Sequence, residues 1–182
     1  MDEAFFGDFA RDAHDEGLRF LIVGGHAVNA YGYERTTLDA DVLVEDAALS
    51  RWRLFWERRG YRCVHATEAF CQFRSSDVTL RYPVDLMIVG SATFEKLWAR
   101  QENRRIGDAV LGIPHPLHLI ALKLHAMRNE ARARQGKDLP DILGLIRHCD
   151  IDTESLEFKE VLSRYADETL RARIGGQLHG LA

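Results

Sequence analysis

The sequence lacks the features that mark several common classes of protein. No apolar run approaches the roughly 20 residues that a transmembrane helix needs, and the opening MDEAFFGDFARDAHDEG is acidic, unlike a secretory signal. The three cysteines are odd in number and form no Cys-x-x-Cys pair, which argues against a disulfide framework and a structural zinc site. We therefore expect a cytoplasmic protein without a membrane span.

Three signatures of nucleotide-binding proteins and hydrolases are also missing. The chain has no P-loop Gly-x-x-x-x-Gly-Lys-Ser/Thr, no Rossmann Gly-x-Gly-x-x-Gly and no Gly-x-Ser-x-Gly. Its eight histidines form no His-x-x-x-His pair, and a formal net charge of −4 does not indicate a general polyanion binder. The P-loop, dinucleotide-binding and hydrolase classes are thus left without support in the sequence.

What the sequence does contain is a mixed α/β pattern followed by an all-helical one. The 182 residues are 46% hydrophobic and 29% charged, as in an ordinary globular protein. Short apolar runs alternate with amphipathic helices in the first two-thirds, and three helical runs follow. These patterns predict an α/β (α+β) fold: a mixed sheet flanked by helices in residues 1–113, and a C-terminal helical subdomain, residues 114–182, packed on that core.

Three apolar runs are the predicted strands that matter for function. Asp39–Val44 alternates and then becomes wholly apolar, while Val84–Val89 predicts a central strand with Pro83 at its entry. The run Arg19–Val23 ends at two glycines, and a short helix closed by Gly32 is predicted to follow. Residues that can form a functional site therefore lie in or directly beside each of these predicted strands.

The glycine pair Gly24-Gly25 lies between a predicted strand and a predicted helix. Glycines there permit a tight turn and a close approach of the backbone to another group. The N-terminus of the following helix favours an anion such as phosphate. A tight turn without a ligand is the alternative, and the glycines alone do not decide between the two.

Three aspartates are the candidate metal ligands. Asp39 and Asp41 are two residues apart in a strand, so both carboxylates lie on one face, roughly 6.6 Å apart along the chain. A solvated strand end is the alternative for this pair. Asp85, in the apolar run YPVDLMIV, is costly to bury unless it is paired or bound to a metal. If the two strands are neighbours, the three carboxylates come together in one place. Such a set can hold the two Mg²⁺ ions that take part in phosphoryl or nucleotidyl transfer.

These motifs resemble the nucleotidyltransferase superfamily related to DNA polymerase beta. GGHAVNAYGYERTTLDADVLV and LIALKLHAMRNEARARQGKDLPDILGLI are most similar to AbiEii-type minimal nucleotidyltransferases of bacterial toxin–antitoxin systems, over roughly residues 18–147. That family usually carries Ser or Thr after the two glycines, where this chain has His26.

The resemblance implies roles for seven residues. It implies that two Mg²⁺ ions are bound by the catalytic residues Asp39, Asp41 and Asp85. Asp85 is implied to be the third ligand or the base that activates the acceptor hydroxyl. The residues implied to bind the triphosphate of an NTP are Gly24, Gly25, Arg35 and Lys123.

Alternatives remain open for the charged residues outside the aspartate set. Lys123 lies off the apolar stripe of its helix, so it is either a surface cation or a ligand of the β- or γ-phosphate. Asp138 is placed to N-cap the next helix, with a direct role at the site as the alternative. The run RWRLFWERRGYR carries five arginines that an RNA acceptor would contact, and its Trp52 and Trp56 indicate core packing rather than base stacking.

The sequence thus favours an enzyme that moves a nucleoside monophosphate from an NTP to an acceptor hydroxyl and releases pyrophosphate. The acceptor is open among RNA such as tRNA, a protein and a small molecule. A toxin-like role restrained by a cognate antitoxin protein is one form of this hypothesis. The alternative, motivated by His26, is a catalytically silent fold that binds nucleotide or a protein.

Overall fold

A five-stranded mixed sheet forms the centre of the α/β part. The computed structural model describes residues 4–77, 82–128 and 136–179. In the order β1-β2-β5-β4-β3, the strands are β1 Leu21–Ile22, β2 Ala40–Glu45, β3 Tyr61–Ala66, β4 Phe70–Ser75 and β5 Val84–Val89. β2 pairs with β5 in parallel, and the other pairs are antiparallel. The prediction of a central strand at Val84–Val89 is confirmed.

Four α-helices and a hairpin accompany the sheet in the described residues up to Pro114. They are α1 Phe5–Asp15, α2 Gly24–Ala30, α3 Leu49–Arg58, α4 Ser91–Ala99, β6 Glu102–Ile106 and β7 Ala109–Ile113. The hairpin turns at Gly107-Asp108, with Gly107 at a φ of 58°. Trp52 and Trp56 of α3 are fully buried, so they belong to the core as predicted.

Two boundaries near the site differ from the predictions. β1 has two residues instead of the five expected for Arg19–Val23, because only Leu21 and Ile22 pair with β2. The next helix begins at Gly24 rather than His26, so both glycines lie in its first turn. The glycine pair is therefore part of α2 and sits beside the start of β2, where Val23 N–H donates to the Asp41 carbonyl at 3.0 Å.

The remaining described elements are helices. They are α5 Pro116–Ala126, α6 Asp138–His148, α7 Leu156–Tyr165 and α8 Glu168–His179. The last predicted run is two helices instead of one, because Ala166 is extended at a φ of −105° and ψ of 135°. The Asp167 carboxylate then accepts from Leu170 N–H at 2.7 Å and caps the start of α8.

The chain divides into two compact units. The described residues of Met1–Ala30 and Glu34–Pro114 form the α/β unit, and those of Tyr31–Tyr33 and His115–Ala182 form the helical unit. Tyr33 belongs to the helical unit because its ring lies directly against Gly144, where a Cβ would overlap it. No helix in the described ranges is both long and apolar enough to cross a membrane.

Candidate active site

Strands β2 and β5 bring two of the candidate aspartates side by side. Asp41 and Asp85 are direct partners in the parallel ladder, and neighbouring strands lie about 4.8 Å apart with paired side chains on the same face. Asp39 lies immediately before β2, two residues from Asp41. The two strands are neighbours, which is the condition under which the three aspartates were expected to meet, and all three aspartates lie at one end of β2 and β5.

Asp85 is the most enclosed of the measured carboxylates at this end of the sheet. Its side chain is 13% exposed, compared with 47% for Asp39. Burial raises the pKa of Asp85, and hydrogen bonding to Arg74 opposes that rise. Gln72 Nε2 and Arg74 Nη1 both donate to Oδ1 of Asp85, at 3.3 and 3.1 Å. Both of these donors reach the same oxygen of the carboxylate.

Arg74 is a site residue that the sequence interpretation missed. Its Nη2 lies 4.0 Å from Asp39 Oδ1 while its Nη1 contacts Asp85, so one guanidinium links the two carboxylates. The placement follows from β4, in which Gln72 pairs with Asp85 and Arg74, two residues on, shares its face. Alternation in FCQFRS was the available signal, but it did not tell which strand β4 would join.

The three carboxylates fit a divalent cation in chemistry and in backbone placement. They are hard oxygen donors of the kind that Mg²⁺ prefers, and two of them are paired across adjacent strands. In the side-chain arrangement seen here, however, no three His, Cys, Asp or Glu residues of the described ranges converge as metal ligands. Arg74 supplies the positive charge beside Asp39 and Asp85 in this arrangement.

Gly24 gives Asp41 its place beside α2. Its φ of +62° lies in the left-handed region, and a Cβ at this position would overlap the Asp41 carboxylate. A glycine is thus required for the start of the helix to approach β2 this closely. The sequence predicted a close approach of the backbone at this glycine, and Asp41 is a group that makes such an approach.

Gly25 similarly makes room for two polar side chains. A Cβ there would lie 2.5 Å from Thr37 Oγ1 and 3.0 Å from Arg35 Nη1. The loop that carries both residues is fixed by Asn29, whose amide donates to the Arg35 carbonyl at 2.9 Å and accepts from the Arg35 N–H at 3.0 Å. A hydroxyl and a guanidinium therefore lie against the backbone of the glycine pair.

His26 is a packing residue. Its ring contacts those of Phe6 and Tyr82, with centroids 4.7 and 5.6 Å away. Burial lowers the pKa of His26 to about 4, and the positive charge of Arg35 acts in the same direction. His26 is therefore neutral near pH 7, and the hydroxyl beside the glycine pair belongs to Thr37, which the sequence interpretation did not identify.

Lys123 lies in the helical unit and is buried, so the alternative of a surface cation is wrong. Its side chain is 4% exposed, and its Nζ lies 3.3 Å from Asp138 Oδ1 and 2.6 Å from Asp141 Oδ2. Asp138 lies inside α6, with Lys137 at the N-cap position, so its predicted capping role is wrong. Its carboxylate instead pairs with the ammonium group.

Four of the five arginines in RWRLFWERRGYR are held by contacts within the α/β unit. Arg51 donates to the Glu16 carbonyl, Arg53 to Cys71, Arg58 to the Glu16 carboxylate and Arg59 to Asp12. These contacts give the four arginines protein partners, so their presence does not require a nucleic-acid ligand. The run therefore does not carry the argument for an RNA acceptor.

Comparison with known proteins finds solved structures with a similar fold but no family with a similar sequence. No family model matches the chain, and no curated protein matches it significantly. ANT(2″)-Ia in complex with adenylyl-2″-tobramycin is similar, with a TM-score of 0.65 and 14% identity over 90% of this chain and 98% of that one. An antigenic nucleotidyltransferase-like protein from Paracoccidioides brasiliensis has a TM-score of 0.57 and 14% identity, over 89% and 85% of the two chains.

A third solved structure is the lincosamide antibiotic adenylyltransferase LnuA with lincomycin bound. Its TM-score is 0.53 and its identity 14%, over 79% of this chain and 94% of LnuA. Similarity at this level of identity establishes the fold, which is nucleotidyltransferase-like. The predicted fold class is thus confirmed, whereas the roles of the individual site residues rest on the geometry described above.

Proposed function

We propose that this protein is a Mg²⁺-dependent nucleotidyltransferase that moves a nucleoside monophosphate from an NTP to an acceptor hydroxyl. The observation that carries the proposal is the side-by-side placement of Asp41 and Asp85 on parallel strands, with Asp39 two residues from Asp41. The nucleotidyltransferase-like fold supports it. ANT(2″)-Ia and LnuA are each seen with an antibiotic-derived ligand, which keeps a small molecule among the acceptors, beside RNA and protein.

In the proposed reaction, Asp39 and Asp41 would hold Mg²⁺, and Asp85 would be either the third ligand or the base that activates the acceptor hydroxyl. When bound, the ions lower the pKa of the acceptor hydroxyl and neutralise charge on the leaving group. The acceptor oxygen forms a bond to the α-phosphorus, the bond from that phosphorus to the bridging oxygen breaks, and pyrophosphate leaves. Where Asp85 is the base, its carboxylate accepts the hydroxyl proton, a task that suits a carboxylate whose pKa burial has raised.

The triphosphate is assigned to the glycine pair. Arg35 Nη1 and Thr37 Oγ1 lie against Gly25, and a guanidinium and a hydroxyl are both suited to phosphate oxygens. Thr37 in this way supplies the hydroxyl that His26 does not. Lys123 as a phosphate ligand is a separate proposal, because its ammonium group contacts two carboxylates within the helical unit.

The toxin-like role and the alternative of a catalytically silent fold each have a distinct test. A toxin-like module held in check by an antitoxin predicts that expression of this chain alone slows growth and that Asp39→Asn restores it. A catalytically silent binding module is favoured by one observation, the occupation of Asp39 and Asp85 by Arg74. It predicts binding of a nucleotide or protein that the aspartate variants leave unchanged.

The test of the proposal is calorimetric titration with each of the four NTPs, with Mg²⁺ and with EDTA. Binding should require Mg²⁺ and should be lost in Asp41→Asn. Asp46→Asn is the matched control, because Asp46 is exposed beyond the far end of β2 and bonds the Ala47 N–H. Binding of equal strength in EDTA, or in Asp41→Asn, would contradict the proposed site.

A further inference from the structure

The Arg74 guanidinium lies where the proposed reaction needs a metal ion. It contacts Asp85 Oδ1 at 3.1 Å and approaches Asp39 Oδ1 to 4.0 Å, while Gln72 supports the same oxygen of Asp85. In the described part of the chain, Arg74 is the ion-pair partner of both carboxylates. A single side chain thus neutralises two of the three groups assigned to the metal.

Two cations cannot share these carboxylates without cost. A guanidinium and a divalent ion a few ångströms apart repel each other, and the repulsion is strongest where the site is shielded from water. Asp85 is such a place, since its side chain is 13% exposed. Binding of the metal at Asp39 and Asp85 must therefore move Arg74 away or weaken its contacts.

From this geometry we propose that Arg74 is an internal counter-ion of the metal site, which competes with the divalent cation for Asp39 and Asp85. This inference rests on the proposed function, because it assumes that the aspartates bind metal. Arg74 stabilises the metal-free protein by compensating carboxylates that would otherwise repel. It also sets the metal affinity low enough that the ion enters with the polyphosphate, which brings negative charge of its own.

Variants of two arginines test this idea. Arg74→Gln removes the competing charge, and Arg74→Lys keeps a charge but loses the forked geometry. Arg62→Gln is the matched control, because Arg62 is the exposed cross-strand partner of Arg74 on β3. The control removes the same unit of charge from the same sheet without removing the contacts to the aspartates.

The measurement is Mn²⁺ binding without nucleotide, followed by electron paramagnetic resonance on the full chain. Arg74→Gln should bind Mn²⁺ about tenfold more tightly than wild type, Arg74→Lys should stay nearer wild type, and Arg62→Gln should change the affinity less than about twofold. Equal or weaker binding by Arg74→Gln would overturn the inference, as would equal tightening by Arg62→Gln. If neither wild type nor Arg74→Gln binds Mn²⁺, while both are folded by circular dichroism, the proposed metal site itself is refuted.

A second measurement keeps the inference testable if Arg74→Gln does not fold. In wild-type protein, addition of Mg²⁺ should shift the nuclear magnetic resonance signals of the Arg74 guanidinium, assigned with Arg74→Lys, and leave those of Arg62 unchanged. Unmoved Arg74 signals at a Mg²⁺ concentration that saturates the site would show that metal and arginine do not compete.

Discussion

The space beside the Gly24 Cα is filled by the Asp41 carboxylate. A Cβ there would overlap Asp41, and the φ of +62° is itself unfavourable for any other residue. The first glycine of the pair therefore fixes the position of a candidate metal ligand. Its role as a direct phosphate contact is a separate proposal.

Gly24→Ala should accordingly weaken Mg²⁺-dependent NTP binding at least tenfold, because the added methyl group displaces Asp41. It should also lower stability by about 1–2 kcal/mol through backbone strain. Gly136→Ala separates the two effects: Gly136 has a φ of +70° but no atom within 4 Å of an added Cβ. Calorimetry and thermal unfolding of both variants provide the measurement. Equal losses of binding in the two variants would assign the effect to strain alone.

Thr37 is predicted to contact the triphosphate. Thr37→Val removes the hydroxyl but keeps the shape, and should lower NTP affinity about tenfold, the usual worth of a hydrogen bond to a charged group. Thr36→Val is the control, because Thr36 is the exposed neighbour in the same loop. Titration with the preferred NTP measures both. An unchanged affinity in Thr37→Val would remove Thr37 from the nucleotide site.

His26 predicts a specific dependence of stability on pH. Its pKa is about 4 in the folded protein and 6.5 as the ordinary value, so between these values the unfolded chain binds the proton and the native state does not. His26 therefore makes the free energy of unfolding fall as the pH drops from about 6.5 to 4. The raised pKa of Asp85 changes the free energy of unfolding in the opposite direction. Its stabilising contribution is present at low pH and is lost as the pH rises through its folded pKa.

Comparison of variants isolates the histidine. His26→Gln should lose part of the fall in melting temperature between pH 6.5 and 4, whereas His65→Gln, at an exposed position on β3, should retain it. Melting curves at half-unit pH steps provide the measurement. If both variants keep the wild-type slope, His26 is not held neutral by the fold.

The buried ion pairs of Lys123 predict a large effect on stability. Lys123→Met leaves two buried carboxylates without their cation, and should reduce the free energy of unfolding by about 3–5 kcal/mol. Lys159→Met breaks the exposed pair with Glu154 and should cost less than about 1 kcal/mol. Urea titration gives both values. A loss below 1 kcal/mol for Lys123→Met would mean that the pairs do not stabilise the helical unit.

The sequence predicted the sheet and its two aspartate-bearing strands because their signals are local. Apolar runs of five or six residues with a polar residue near the start identify β2 and β5, whereas the pairing of these two strands was only a condition of the three-aspartate hypothesis. Arg74 carried no comparable signal. Its role depends on β4 joining β5 in one register, so that a long side chain two residues from Gln72 reaches Asp85, and strand pairing is not encoded in a short stretch of sequence.

Lys123 was misplaced for a related reason. Its helix, PLHLIALKLHA, buries residues around most of its circumference, so the apolar stripe does not mark which positions face solvent. Only the carboxylates of a second helix make a buried lysine tolerable there. The same contact removes Asp138 from the capping role that its position in KDLPD had indicated.

The most direct test of the central claim is a transfer assay with NTPs labelled at the α- or the γ-phosphate. The purified protein and Mg²⁺ are incubated with RNA, protein and small-molecule fractions of a cell extract. Our account predicts covalent label from the α-phosphate alone in one fraction, γ-label released as pyrophosphate, and neither in EDTA or in Asp41→Asn. Transfer of the γ-label, or α-label transfer that persists in Asp41→Asn, would contradict it, as would no transfer to any fraction.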